Sequence, residues 1–129
     1  MQKDEKQIAL IVVDHGSRIT EANDMLLDVC RMVRELSGVE HIYPAHMELA
    51  EPSISQAFAQ AVREGATAVV VHPYFLAPGR HSATDIPRMV EEAARAFPGI
   101  EHCVTPPLGV HPKIGEVVLE RVGLPQSRP

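Results

Sequence analysis

The first strongly apolar stretch of the chain decides its fold class. It reads Ile8-Ala9-Leu10-Ile11-Val12-Val13, and Asp14-His15-Gly16-Ser17 follow it directly. A run this short and this rich in β-branched residues is typical of a strand buried on both faces, as in a parallel sheet. A helix is predicted next, over Thr20 to Ser37, because its apolar residues recur at spacings of three and four. Thr20 is its expected N-cap and Gly38 its natural end.

Three further strand–helix units continue this pattern. The predicted strands are 40–47, 66–71 and 101–105, and the predicted helices run from Ile54 up to Gly65, over 83–97 and over 112–122. Pro44 weakens the second strand and suits a sheet edge best. The βαβαβαβα order predicts an α/β fold, a doubly wound, mainly parallel four-stranded sheet with helices on both faces. We expect the strand order 2-1-3-4, which places a ligand site between the first and third strands.

The bulk composition narrows the possible functions. The chain has 129 residues, of which 45% are hydrophobic and 22% charged, as is ordinary for one globular domain. We expect a single domain over 8–124, with flexible tails at 1–7 and 125–129. The formal net charge is −5, aromatic residues make up 4% and tryptophan is absent. A nucleic-acid partner is therefore not expected, since neither a basic surface nor a stacking platform is indicated.

Neither a membrane partner nor export is expected. No stretch approaches the roughly 18 apolar residues of a membrane span, and the apolar run at 8–13 is too short for a signal peptide. Cys30 and Cys103 lack the short spacings of metal or redox motifs. Both are predicted to be buried apolar residues, and a reducing, cytoplasmic location is the resulting expectation.

His15 is the first candidate functional residue. It lies where the first strand leads into a helix, next to Gly16, Ser17 and Arg18. Glycine permits a close approach of ligand or backbone, and free helix N–H groups with Ser17 and Arg18 could cradle a carboxylate or phosphate. The alternative is that His15 only caps the turn while Asp14 anchors it.

His81 is the second candidate. It ends the long loop 72–81, directly after Arg80, and loops of this length inside a compact α/β unit are usually functional. Neutral imidazole binds borderline divalent metals and takes up protons near neutral pH. Glu48, at the end of the second strand, is expected to reach the same end of the sheet. An ordinary loop role for His81 stays open.

The other histidines are weaker candidates. His72 continues an apolar strand and is predicted to be packed, whereas His46 is left undecided. His41, His102 and His111 are predicted to be strand-edge or surface residues. The glycine-rich phosphate loops and the GxSxG nucleophile motif do not occur in the sequence. Two imidazoles and a carboxylate suit metal handling better than nucleophilic chemistry.

Three segments resemble the small sirohydrochlorin chelatases, the single-domain cobaltochelatases and ferrochelatases of cobalamin and siroheme biosynthesis. They are Val13-Asp14-His15-Gly16-Ser17-Arg18, Glu48-Leu49-Ala50-Glu51-Pro52-Ser53-Ile54 and Pro73-Tyr74-Phe75-Leu76-Ala77-Pro78-Gly79-Arg80-His81, with Asp85-Ile86-Pro87 after the last. The likeness runs from about Ile8 to Val122. It departs at Asp14, where a small residue is expected. The charge of Asp14 could bind metal, steady His15 or mark a differently built turn.

The resemblance implies a class II chelatase fold and catalytic roles for His15, Glu48 and His81, with His15 and His81 as metal ligands. It implies that Co²⁺, Fe²⁺ or Ni²⁺ is a substrate, with no tightly bound cofactor, and that a sirohydrochlorin-type tetrapyrrole accepts the metal. Since larger chelatases carry two such domains around one cleft, a chain of half that size is expected to form a homodimer.

A mechanism follows from this resemblance. Insertion removes two pyrrole N–H protons and strips water from the metal, so neutral His15 and His81 are expected to hold the ion or accept protons, assisted by the charge of Glu48. The substrate carries many carboxylates. Its predicted binding residues are Gly16, Ser17, Arg18, Phe75, Arg80 and Ser82.

Two other functions are alternatives to this one. The chain could be a tetrapyrrole- or metal-binding carrier without turnover. It could also be a phosphotransfer enzyme that uses His15 as nucleophile. The second is disfavoured because such enzymes carry Arg immediately before the histidine, where this chain has Asp14.

Overall fold

The computed structural model describes residues 6–77, 79 and 82–127. Its strands are β1 (Ile8–Asp14), β2 (Ile42–His46), β3 (Ala68–Pro73) and β4 (Glu101–Val104), and its helices are α1 (Thr20–Ser37), α2 (Ile54–Arg63), α3 (Ser82–Ala94) and α4 (Pro112–Val122). All neighbouring strands are parallel, in the order β2-β1-β3-β4. The fold class and strand order predicted from the sequence are confirmed.

The central strand β1 is buried because both faces of the sheet are covered there. Ile11 and Val13 are fully buried on the face that packs against α2 and α3, together with Phe58 of α2. Val12 points to the opposite face and packs with Leu26 of α1. The unbroken apolar run at the start of the chain thus supplies two separate cores.

The ends of α1 confirm one prediction and correct another. Gly38 has φ 74° and ends the helix in the left-handed conformation, as predicted. The N-cap is Ile19 rather than Thr20, and its side chain makes no capping hydrogen bond. The Asn23 side chain instead ties down the preceding turn by bonding the N–H and the C=O of Ser17.

Pro44 lies on an edge strand, as predicted, since β2 stands at one end of the strand order β2-β1-β3-β4. The backbone N–H groups of Ile42 and His46, two residues before and after Pro44, bond within the chain. Ile42 N–H donates to Glu40 O at 3.1 Å, and His46 N–H donates to Pro52 O at 2.9 Å. This strand covers Ile42–His46 and is thus shorter than the predicted 40–47.

One part of the sheet lacks a helical cover. Helix α1 contacts β2 and β1, whereas β4 is exposed over most of its length. The prediction that both cysteines are buried is therefore half wrong: Cys30 is buried on the inner face of α1, but Cys103 of β4 is exposed. Helix α4 follows β4 without burying any of its own side chains.

Candidate active site at the carboxyl edge of the sheet

The backbone ladder continues beyond the strands at the edge where the sequence predicts the site. Glu48 N–H donates to His15 O at 3.1 Å, and Tyr74 N–H donates to Val13 O at 2.6 Å. The turn after β1 is thereby held from both neighbouring strands. The segments that leave β1, β2 and β3 consequently start from fixed relative positions.

Gly16 packs directly against the segment that follows β2. Its φ is 90°, a conformation that side chains with a Cβ resist. A Cβ at this position would lie 1.8 Å from the carbonyl oxygen of Glu48. Both the dihedral angle and the close approach therefore require glycine, and Gly16 serves backbone packing at least as directly as ligand binding.

Asn23 fixes the loop that carries the predicted carboxylate cradle. Its side chain accepts from Ser17 N–H at 2.9 Å and donates to Ser17 O at 2.7 Å. The Ser17 hydroxyl in turn accepts from Ile19 N–H at 3.0 Å. Arg18 lies between them and is exposed. Asn23 was not among the predicted site residues, although its position as the fourth residue of a helix that follows a polar turn is a usable signal.

The structure brings His15 and Phe75 together. Their ring centroids are 4.7 Å apart and their planes differ by 22°, so the imidazole stacks on the phenyl ring. His15 is exposed on its other side, while Phe75 is half-buried. Phe75 also lines an apolar cavity of about 290 Å³ between β3 and the start of α3. The β1 turn and the long β3–α3 loop thus meet at these two rings.

Asp14 bonds to His46, which was not predicted to be its partner. The His46 Nδ1 and Asp14 Oδ1 atoms are 2.5 Å apart, and His46 is only 3% exposed. The two residues are register partners on β1 and β2, so their side chains share a face of the sheet. Asp14 was considered as a residue that steadies His15, but its side chain bonds to His46 instead.

The remaining histidines lie where they were predicted. His72 is half-buried and its Nδ1 lies 2.8 Å from Thr105 Oγ1, and burial lowers its pKa, which favours the neutral ring. His102 and His111 are exposed, as predicted. His41 lies directly before the edge strand β2, its side chain is 38% exposed, and its Nδ1 lies 3.1 Å from the Tyr43 hydroxyl.

Two predicted site residues, Arg80 and His81, lie outside the described residues, and Ser82 is the first residue of α3. Glu48 is described and exposed. Within residues 6–77, 79 and 82–127, His, Cys, Asp and Glu form no group of three or more that could hold a metal ion. The described part of the site consists of the His15–Phe75 stack, the exposed Glu48 and the buried Asp14–His46 pair.

Comparison with known proteins identifies the family. The sequence profile of the CbiX family matches residues 9–123, a range that includes the sheet apart from Ile8, and the helices α1 to α4. The chain belongs to the CbiX family. The fold of this CbiX protein agrees with that of a solved relative, the sirohydrochlorin chelatase of Bacillus subtilis subspecies spizizenii in complex with cobalt, at a TM-score of 0.83 and 27% identity. The match covers 91% of this chain and 50% of that one.

Two curated relatives differ in length. The chloroplastic sirohydrochlorin ferrochelatase of Arabidopsis thaliana is 50% identical over 113 residues, which are 88% of this CbiX protein and 50% of the relative. The sirohydrochlorin cobaltochelatase of Methanopyrus kandleri is 29% identical over 135 residues, which are 89% of this chain and 94% of the relative. The chain therefore spans half of the plant enzyme and nearly all of the archaeal one.

Replacing Gly16 tests the close contact with Glu48. Gly16→Ala adds a Cβ that collides with the Glu48 carbonyl, so we expect the free energy of unfolding to fall by more than the roughly 1–2 kcal/mol of a left-handed alanine. Gly65→Ala is the matched control, because Gly65 also has positive φ but nothing lies within 4 Å of the position that its methyl group would take. Urea unfolding measures both. Equal losses in the two variants would show that the contact adds nothing.

Removing the Asp14 carboxylate tests the buried pair. Asp14→Ala leaves the His46 ring buried without its partner, and we expect a loss of about 1–3 kcal/mol in the free energy of unfolding. Asp28→Ala removes an exposed carboxylate paired with Arg31 and should change stability by less than about 0.5 kcal/mol. A loss for Asp14→Ala no larger than for Asp28→Ala would contradict a stabilising role.

Proposed function

We propose that this CbiX-family chain inserts a divalent metal ion, Co²⁺, Fe²⁺ or Ni²⁺, into a sirohydrochlorin-type tetrapyrrole. The curated relatives named above are a ferrochelatase and a cobaltochelatase for sirohydrochlorin, which supports this substrate class. The observation that carries the proposal is the His15–Phe75 stack at the carboxyl edge of the sheet. The stack joins the turn that carries His15 to the loop that carries Phe75. His81, the other candidate histidine, follows Phe75 by six residues in the sequence.

His15 has the chemistry that metal insertion requires. Formation of the metal complex releases two pyrrole N–H protons and removes water from the ion. A neutral imidazole has a lone pair that binds the ion or accepts a proton. His15 is exposed on the side away from Phe75, so both the ion and the macrocycle can approach it. The stack restricts the ring's rotation and thereby orients the lone pair.

We assign His81 as the second metal ligand and proton acceptor, with Glu48 contributing negative charge. The carboxylate of Glu48 is exposed and its backbone is hydrogen-bonded to His15. Two imidazoles and one carboxylate hold an ion less tightly than a closed four-ligand site. Such a site favours transfer of the ion to the four ring nitrogens.

The carboxylates at the macrocycle's periphery require positive partners. We assign this role to Arg18 and Arg80, helped by the backbone N–H groups at the starts of α1 and α3. Ser82 begins α3, and the Gly16–Ser17 turn precedes α1. The Ser17 hydroxyl already accepts a hydrogen bond from Ile19 N–H. We therefore expect it to donate a hydrogen bond to a carboxylate of the substrate.

We further propose a homodimer in a reducing, cytoplasmic compartment, without a tightly bound cofactor. Two copies together would match the length of these relatives, since this chain spans half the Arabidopsis enzyme and half the Bacillus enzyme. Both cysteines are free thiols, which fits a reducing location. None of the described helices is long and apolar enough to cross a membrane.

Mutation of the candidate histidines tests the activity. The purified chain is incubated anaerobically with sirohydrochlorin and Co²⁺, Fe²⁺ or Ni²⁺, and the change in ring absorption gives kcat/KM. We expect His15→Ala and His81→Ala to lower kcat/KM by about 10²-fold or more, the usual contribution of a proton acceptor. His102→Ala removes an exposed histidine far from the carboxyl edge and should retain activity.

The same assay separates the catalyst from a carrier. Stoichiometric product binding without repeated turnover, for every metal, would replace the proposal with the carrier function. Circular dichroism of His15→Ala and His81→Ala should match that of the unaltered chain. Unfolding of either variant would instead indicate a structural role for that histidine.

A further inference from the structure

Leu49 has a backbone conformation that leucine rarely adopts. Its φ is 69°, and within the part of the chain that the structure describes it is the one non-glycine residue with positive φ. In this left-handed region the Cβ of an L-residue crowds the neighbouring carbonyl oxygen, so a bulky side chain makes the conformation unfavourable. Glycine adopts it without this cost. The turn alone would favour glycine, so the leucine side chain requires a separate explanation.

Packing inside the chain does not explain this side chain. Leu49 is 54% exposed, and it is not a member of either hydrophobic cluster in the described part of the fold. Met47, two residues earlier, does pack against the cluster beside α2. A single exposed leucine is ordinary on a protein surface when its backbone is relaxed. Residues in unfavourable backbone conformations instead cluster at ligand sites, which indicates a ligand contact for Leu49.

The segments on both sides of Leu49 hold it in this conformation. Before it, Glu48 N–H donates to His15 O at 3.1 Å, and after it, Pro52 O accepts from His46 N–H at 2.9 Å. Both ends of the loop are therefore fixed at the carboxyl ends of β1 and β2. The chain has to turn within the three residues between Glu48 and Pro52. Such fixed ends can maintain an unfavourable φ, and they present Leu49 directly beside Glu48.

The other loops at this edge of the sheet also carry exposed aliphatic side chains. The loops that follow β1, β3 and β4 contain Ile19, Leu76 and Val110, and each of these side chains is exposed. Because all four strands are parallel, these loops lie at the same edge as Leu49. Arg18, which is also exposed, directly precedes Ile19. The edge therefore combines aliphatic side chains with a cation.

We propose that Leu49 packs against the face of the tetrapyrrole and thereby selects a flat, apolar ring as the substrate. This inference rests on the proposed function and adds a substrate-binding residue to it. A tetrapyrrole has apolar faces and a periphery of carboxylates, so it matches an edge with aliphatic side chains beside a cation. When its nitrogens face His15 and Glu48, the ring is wider than these two side chains and extends over the adjacent Leu49. Contact with the ring removes the leucine from water, which offsets the unfavourable backbone conformation.

Two substitutions separate the side chain of Leu49 from its backbone. Leu49→Ala keeps the unfavourable φ and removes the contact with the ring, whereas Leu49→Gly removes both. Titration with metal-free sirohydrochlorin, followed by the absorption of the ring, gives the Kd. We expect both variants to raise this Kd by about tenfold, because each loses most of the apolar contact of a leucine. In urea, Leu49→Gly should unfold at a higher midpoint concentration than Leu49→Ala, since glycine tolerates positive φ.

Leu49→Met and Leu36→Ala are the controls. Methionine has an apolar side chain of similar volume, so Leu49→Met should restore the Kd of the unaltered chain. Leu36 is exposed near the end of α1, away from the carboxyl edge, and Leu36→Ala should leave the Kd unchanged. Steady-state assays with Co²⁺ separate ring binding from metal binding. For Leu49→Ala we expect a raised KM for sirohydrochlorin and an unchanged KM for Co²⁺, since His15 and Glu48 are retained.

Four results would overturn this inference. An unchanged Kd for Leu49→Ala would mean that the ring does not contact Leu49, and the proposed function would stand. An unchanged Kd together with altered sedimentation of Leu49→Ala would assign the side chain to a contact between copies of the chain. A urea midpoint for Leu49→Gly no higher than that for Leu49→Ala would show that the conformation has no cost. A failure of the unaltered chain to bind sirohydrochlorin would refute this inference and the proposed function together.

Discussion

The direct contact between Gly16 and the Glu48 carbonyl is the constraint on which the candidate site depends. It draws the turn after β1 against the segment that leaves β2, at a distance that no residue with a Cβ reaches. His15 precedes this contact, so its ring is directed toward Phe75 and the β3–α3 loop. A backbone requirement at one residue thus determines where an imidazole is presented.

Beneath that turn, the Asp14–His46 pair joins β1 to the edge strand β2 by side chains where the sheet ends. The pair is almost fully screened from water on the histidine side, and a hydrogen bond to a charged group is stronger in such surroundings. The pair lies on the same face of the sheet as Val12 and Ile42, and it follows their apolar core toward the carboxyl edge. The site therefore combines an exposed histidine with a buried one that serves the scaffold.

Most of the fold was predictable because its signals are local. The apolar run at 8–13 predicts a buried strand, the spacing of apolar residues predicts α1, and Pro44 predicts an edge strand. Each of these signals depends only on residues close together in the sequence. What failed depends on partners distant in sequence. Cys103 lies in a predicted strand, and it is exposed because β4 lacks a helical cover on that side. His46 could be assigned only once its register with β1 was known. His15 and Phe75 were each predicted, whereas their stacking required the meeting of two loops.

Pro44 has a consequence for how the sheet can grow. In the parallel register, alternate amides of β2 face outward, and these belong to Ile42, Pro44 and His46. The N–H groups of Ile42 and His46 donate to the carbonyl groups of Glu40 and Pro52, and Pro44 has no N–H group. The outer edge of β2 therefore has no free backbone N–H group to which a strand of another molecule could bond. This disfavours aggregation by strand addition at β2.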